Sequence, residues 1–507
     1  MVDQVLSEPG DDPERPAQPS ATHGRSVPVT LADYIPGLAG AAFSDIGVVR
    51  DPSGPAYFRF GDETTVCEID GPQSVTRLQQ RAYEGGRLIR PQELREMLDV
   101  AKTIARVAAP VRKVWHRVAE IEQGAVIDLG TDDHTRVRVT AGNVEIGQGE
   151  SSTLFHRPDS MRAMFVPADH GDSRLLDPFV NLSDAGRILL RGHVSYVLTH
   201  AKTPRWSFPI LVLGGGEGVG KSTLSRRIKR MVDFSSIDIM TLPRTERDLA
   251  IAIQPSHLTI FDNVRAIKPH MADALCVAAT GGVVTTRQLY TDAGLVTLNL
   301  HGAVILNGIH ARADEMDMAS RVLPLTLLPL DEKHRRTESE LDAEFERDGP
   351  RILRGLLDLA AGIFKELPSV VPKYPERMLD YVTWLGGMER VEGVAAGTYQ
   401  RMYSAALQRG MLESLEENVL AMAVMELVAG DRRDWWTGTP AELLKALTSL
   451  VDHRTTYSRD WPVNAIALSR RLRVLVPALR RQRIDVQFPR GHERKISISL
   501  LGEPSHE

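Results

Sequence analysis

The chain has 507 residues, which at roughly 150 residues per domain predicts three or four domains. Its two cysteines, Cys67 and Cys276, exclude a disulfide framework or a multi-cysteine zinc site and fit a reducing, cytoplasmic setting. A net charge of −5 excludes nucleic-acid binding by overall charge and leaves a local basic face as the remaining route.

In chain order, residues 1–30 are rich in Pro, Asp, Glu and Ser and predict a disordered tail, with acids where a signal peptide carries a basic region. Residues 31–174 predict an α+β region: short strand runs such as Pro55 to Phe60, then an amphipathic helix over Pro91 to Glu120 broken at Pro110, then strands at Ala125 to Leu129 and Arg136 to Thr140. His116 reads as a solvated helix residue, since no partner at metal-ligand spacing accompanies it. Asp45, Asp51, Asp62 and Asp70 sit among turn residues and form no acidic metal triad, so nucleotidyl transfer is not expected.

Residues 175–331 carry the chemistry. After a helical run to His200, the apolar segment Pro209 to Leu213 leads into Gly214-Gly-Gly-Glu-Gly-Val-Gly-Lys-Ser-Thr and a second helical run. Gly215 to Ser222 matches G-x-x-x-x-G-K-[ST] between a strand and a helix. Glycines let backbone N–H groups turn inward around phosphate oxygens, and the helix N-terminus adds its positive end. The predicted nucleotide cradle is therefore Gly215, Gly216, Glu217, Gly218, Val219, Gly220, Lys221, Ser222 and Thr223. Lys221 is assigned to the β/γ-phosphates, Ser222 to Mg²⁺, and Thr223 to the helix start beneath the α-phosphate of ATP.

A buried run from His257 to Phe261 ends in Asp262-Asn263, and an acid at that strand end is what Mg²⁺ coordination needs. Many ATPases of this plan place a Glu at the position of Asn263; an amide orients water but accepts no proton, so either hydrolysis is slow or another base serves. A third run, Ala303 to Leu306, ends in Asn307, which either contacts the γ-phosphate or simply forms the turn before Gly308. Arg321 precedes a further strand; it reads either as an arginine finger acting on a neighbour's nucleotide or as a surface salt bridge.

The order of these elements, with Ala279-Thr-Gly-Gly-Val-Val-Thr-Thr-Arg-Gln-Leu-Tyr290 between the second and third strands, resembles the superfamily 3 helicase type of AAA+ ATPase found in primase-helicases of phages, plasmids and integrated elements. The resemblance covers about Leu175 to Leu330. It implies a hexamer whose hairpin, here Gly281 to Leu300 around Thr291 to Gly294, reaches single-stranded DNA in a central channel. It also implies Lys221 and Ser222 as Walker A, Asp262 as Walker B, Asn307 as sensor 1, Arg321 as the arginine finger, and Arg287 as a DNA contact. Asn263 departs from the acidic residue usual in that family.

Residues 332–434 predict packed helices. In residues 435–507, Thr439-Pro440 starts a helix, and Leu468, Leu472, Leu475 and Leu479 form one stripe of another, with Pro477 expected to kink or end it. Two alternating runs, Ile484 to Phe488 and Lys495 to Ser499, predict a two-stranded wing. This end resembles the winged-helix module that closes many phage primase-helicase chains, with Trp461-Pro before its second helix. Arg470, Arg473, Arg480, Arg490, Arg494 and Lys495 form its basic face, read as a DNA contact that can include duplex, or as the solvated face of a protein-binding module.

The expectation is a multidomain α/β protein: a Mg²⁺- and ATP-dependent AAA+ P-loop ATPase with a winged helix, forming a homo-oligomer on DNA and acting as a helicase or translocase of a mobile element. The alternative is an ATP-gated scaffold or DNA-tethering protein with slow turnover, in replication initiation or phage defence. The longest apolar stretch, Val419 to Gly430, is interrupted by Glu426 and falls short of the ~20 residues a bilayer requires, so no membrane partner is expected.

Overall fold

A computed structural model describes residues 43–149, 152–265, 267–287, 295–308, 316–329, 337–430, 435–458, 461–488 and 495–501. The expected N-terminal tail lies outside them, as do Arg490, Arg494 and the hairpin turn Thr291 to Gly294. The fold is mixed α/β, in two compact units: Met1–Gly61 with Ile69–Val111, and Asp62–Glu68 with Arg112–Glu507.

In the first unit, strands Ile46–Arg50 and Ala56–Phe60 pair antiparallel, and helices Pro72–Glu84 and Pro91–Val107 each begin on a proline. The aspartates have structural work here: Asp51 is buried and accepts from the Ser53 N–H, while Asp45 pairs with Arg81 and Asp70 with Lys102. The helical run expected over Pro91 to Glu120 with a break at Pro110 does end there, its helix stopping at Val107, but it does not resume beyond the proline. Ala108 and Ala109 both donate to the Ile104 carbonyl, closing the helix just before Pro110, which disfavours helical backbone in the residue preceding it. Beyond it come strands Val114–Trp115 and Val118–Ile121. His116 is thus no solvated helix residue: it bridges to Val118, and its Nε2 is shielded without a hydrogen-bond partner.

In the second unit, Val118–Ile121, Gly124–Asp128, Arg136–Thr140 and Asn143–Gly147 form an antiparallel meander. A helix, Asp184–Thr199, capped by Ser183, then leads to a five-stranded parallel sheet. Its order is Met240–Thr241, Leu258–Asp262, Ala303–Asn307, Ile210–Gly214, Val322–Thr326. The strand entering the glycine loop therefore lies beside the Asn307 strand, with the Asp262 strand one place further. All pairings are parallel, so the strand ends that carry Gly214, Asp262 and Asn307 face one edge of the sheet. The strands are almost fully buried, as expected for a parallel sheet covered on both faces.

Strands Gly282–Arg287 and Leu295–Leu300 pair antiparallel as the expected hairpin, with Arg287 opposite Leu295 at its last described pair. Helices Glu338–Glu366, Leu379–Val391 and Thr398–Glu417 continue the hydrophobic core of the sheet. A second core gathers Leu415, Val424 and Val428 with Leu443, Trp461, Leu468, Leu472, Leu475, Leu479, Ile484 and Ile498.

The leucine stripe is buried as its spacing predicts, but Pro477 does not end the helix, which runs from Ala465 to Arg481. Pro477 is exposed, so the Arg473 carbonyl it leaves without a donor can turn to water, while buried Ala478 and Leu479 reward continuation. The wing is three-stranded: Trp435–Gly438 joins Ile496–Leu500, which pairs with Ile484–Gln487. The helix Pro440–Thr448 starts with a capping box of Thr439 and Glu442. Among the described residues, no helix is long and apolar enough to cross a membrane.

Candidate nucleotide and magnesium site

Three glycines give the loop its shape. Gly215, Gly218 and Gly220 have φ of +123°, +72° and +90°, backbone that a side chain disfavours. Gly215 also lies against the Leu327 carbonyl, 2.9 Å from where a Cβ would stand. Val219 is buried beneath the loop and anchors it, while Gly216, Glu217 and Gly218 are exposed at its crest. Lys221 opens the helix Lys221–Val232 and folds back, donating from Nζ to the carbonyls of Gly215 (2.9 Å) and Gly216 (2.6 Å). Thr223 meets Glu338 at 3.4 Å.

Ser222 donates its hydroxyl to Asp262 Oδ2 at 2.7 Å, bringing together two residues forty positions apart in sequence. Partial burial alone would raise the Asp262 carboxyl, but the Ser222 hydroxyl, the Asn263 N–H and the Asn307 amide outweigh it and hold it below its ordinary range. Asn263 takes a left-handed turn with φ of +53° and donates its N–H to Asp262 Oδ1 at 2.9 Å.

Asn307 is fully buried. Its Oδ1 accepts from the Ser225 hydroxyl at 2.9 Å, which also has the Lys221 carbonyl within 3.1 Å; its Nδ2 faces the Asp262 carboxylate closely enough to lower its pKa but makes no hydrogen bond of ordinary geometry. A buried amide donor in this position has capacity left for an oxygen acceptor. Ser225 went unread in the sequence; its signal is its position one turn after Lys221, on the helix face toward the sheet.

A hydroxyl and a carboxylate in contact, open to further oxygens, suit a hard divalent cation such as Mg²⁺, which uses one or two carboxylates with substrate phosphates and water. Among the described residues, no group of three or more His, Cys, Asp or Glu offers an alternative metal cluster.

Arg321 stands 7% exposed, with its guanidinium donating to the Asp317 carbonyl at 2.9 Å and paired with the Asp317 carboxylate. Asp317 also pairs with exposed Arg377 at 3.0 Å, so Arg321 is tied within its own chain in this state. In the C-terminal part Arg470, Arg473, Arg480 and Lys495 are all exposed; Arg473 stacks on Phe488 at 4.0 Å and Arg480 pairs with Asp485 at 3.5 Å. The backbone of Arg287 is placed on the hairpin, and its side chain lies outside the described set.

Nothing local in the sequence signals the buried polar link beneath this site. Arg117, fully buried with φ of +58°, donates from Nε to Asp233 Oδ1 at 3.0 Å and to the carbonyls of Asp128, Arg162 and Phe234. Asp233 caps the end of the Lys221–Val232 helix, and its Oδ2 accepts the N–H groups of His257 and Leu258. Burial would raise this carboxyl; Lys229 and Arg117 reverse that and leave it far below its usual range.

No curated protein matches this chain in sequence. Among solved structures, the A-form apo C-terminal region of NrS-1 aligns at 12% identity over 90% of this chain and 96% of that one, with a TM-score of 0.37. The JCV helicase aligns at 13% over 44% and 61%, with a TM-score of 0.20. Superpositions this loose establish no common fold. The sequence is more informative: residues 179–408 match the model of the actinomycete integrative conjugative element replication protein, and residues 420–506 match that of the C-terminal domain of the same replication protein, so that the site and the wing-bearing end are both similar to one kind of replication protein.

Proposed function

We propose that this chain is an AAA+ P-loop ATPase of the superfamily 3 helicase-like type that uses Mg²⁺ and ATP to act on DNA during replication of an integrated mobile element. The observation that carries the reading is the contact of Ser222 with Asp262 beside a glycine loop and the open Asn307 amide. Mg²⁺, when bound, would neutralise phosphate charge there.

The chain's own residues supply the rest. Lys221 exchanges the Gly215 and Gly216 carbonyls for phosphate oxygens. The Asn307 Nδ2 donates to a phosphate or to the attacking water, with its orientation fixed by Ser225. Asn263 positions water without taking its proton, which keeps turnover slow. The helices and three-stranded sheet at the C-terminus support a winged helix whose Arg470, Arg473, Arg480 and Lys495 reach DNA phosphates. Assembly into a hexamer would free Arg321 from Asp317 to act on a neighbour's nucleotide.

A second reading, an ATP-gated scaffold, is favoured by Asn263 in the place of a proton acceptor. Steady-state ATP hydrolysis with and without single-stranded DNA separates the two. DNA-stimulated turnover abolished by Lys221→Ala supports the motor, and tight ATP binding with near-zero turnover raised by Asn263→Glu supports the scaffold. Turnover unaffected by Lys221→Ala refutes the assigned site.

A further inference from the structure

Beside the nucleotide site, the ends of strands Met240–Thr241 and Leu258–Asp262 open onto a cleft of about 500 Å³. None of the glycine-loop residues lines it; Asp262 and Asn263 form the wall it shares with the site above. Besides Thr241, the rest of its polar lining is Arg244 from one loop, Arg265 and Lys268 from the other, and His270 from the first turn of the helix that follows. Arg244, Arg265 and Lys268 are exposed, and among the described residues none of the three has a carboxylate within ion-pair distance. The one lining carboxylate, Asp262, is already engaged by Ser222 and the Asn263 N–H. Glu246 and Asp248 begin the next helix but lie outside the lining.

One contact joins the two sides of the cleft: the His270 Nε2 lies 3.4 Å from the Arg244 carbonyl. Within its own loop, Arg265 donates to Asn263 Oδ1 at 3.4 Å. The helix Pro269–Thr280 starts at the same rim without a side-chain cap, adding its positive end to the three cations. Leu242 and Met271 give the cleft an apolar side, and no Phe, Tyr or Trp lines it.

We propose that this cleft binds the backbone phosphates of a single-stranded polynucleotide. Three separate cations match successive phosphodiesters of one charge each better than a single phosphate monoester. The apolar side accommodates sugars, and contacts made to phosphates carry no information about the base. The inference rests on the proposed action on DNA and adds a contact set apart from the hairpin and the C-terminal wing. It places a strand against the same turn that carries Asp262 and Asn263.

The test uses the full chain and a labelled twenty-nucleotide oligo(dT), with anisotropy read between 50 and 200 mM salt. The triple variant Arg244→Ala/Arg265→Ala/Lys268→Ala, checked for an unchanged melting temperature, should bind at least tenfold more weakly. Its log–log salt slope should fall in magnitude by about 2, at ~0.7 per lost phosphate contact. Binding of a fluorescent ATP analogue should persist in Arg244→Ala/Lys268→Ala. Equal affinity and slope in the triple and parent chains would overturn the cleft assignment alone. So would full displacement of the oligonucleotide by millimolar inorganic phosphate or ADP at constant ionic strength, which would make this a mononucleotide site. A parent chain that binds the ATP analogue but no oligonucleotide at any salt would instead overturn the action on DNA, and the cleft assignment with it.

Discussion

His193 lies on the helix Asp184–Thr199 with its ring edge-on to Tyr381, and neither ring nitrogen has a hydrogen-bond partner. Burial pushes its pKa down to about 3 from 6.5. The unfolded chain binds a proton there below pH 6.5 while the native chain refuses it, so acid pulls toward unfolding. The cost is negligible above about pH 7.5, reaches about 1 kcal/mol at pH 5.5, and grows by about 1 kcal/mol per further pH unit. His200, His257 and His301 behave alike: each is buried, each is bonded through one nitrogen to a backbone carbonyl, and burial lowers their pKa to about 3, 4 and 4. All four therefore act in the same direction, and stability falls as pH drops below about 6.5. The carboxylates held low, Asp128, Asp233 and Asp262, add their losses only as pH falls toward and below 4, a separate window. His193→Leu isolates one share. In urea unfolding at pH 8.0 and 5.5, the variant should gain about 1 kcal/mol relative to the parent between the two pH values. A difference that does not change with pH, or a His193 imidazole titrating near 6.5 by NMR, would refute the reasoning.

Two further substitutions probe packing. Arg117→Ala leaves Asp233 charged and buried without its main cross-module partner, and should cost about 3–5 kcal/mol in chemical denaturation. Gly355→Ala drives a Cβ to within 2.2 Å of the Asp172 and Ser173 backbone and should cost about 3 kcal/mol, whereas Gly393→Ala, in open space at φ of +68°, should cost about 1 kcal/mol by the same measurement.

What the sequence made legible is chemistry whose partners are neighbours or whose spacing is periodic. The glycine loop from Gly215 to Ser222 is a local motif, and the burial of Leu468, Leu472, Leu475 and Leu479 follows from helical period. Asp262 and Asn307 could be placed at strand ends because apolar runs stop there. Pairing across long separations leaves no such trace: Arg117 and Asp233 lie 116 residues apart, and the Arg244 and Arg265 loops meet only through strand order. Trp435–Gly438 was unreadable for a related reason, since a four-residue strand is defined by the partner it joins, Ile496–Leu500. The sequence leaves Arg321 between an arginine finger and a salt bridge, because nothing local decides that Asp317, one turn earlier, holds it.

Asp233 has a consequence for how the distance between Ser222 and Asp262 is set. The helix Lys221–Val232 runs away from the site and ends at Asp233; the strand Leu258–Asp262 starts beside Asp233 and runs back. Twelve helical residues at ~1.5 Å span about 18 Å, and five strand residues at ~3.3 Å span about 17 Å. The two are struts of nearly equal length, pinned together at the far end by one carboxylate and meeting again as a hydroxyl and a carboxylate 2.7 Å apart. The separation of Ser222 from Asp262 is therefore a small difference between two rigid lengths, and adding a single residue to the strand, at ~3.3 Å, would displace Asp262 by more than that separation.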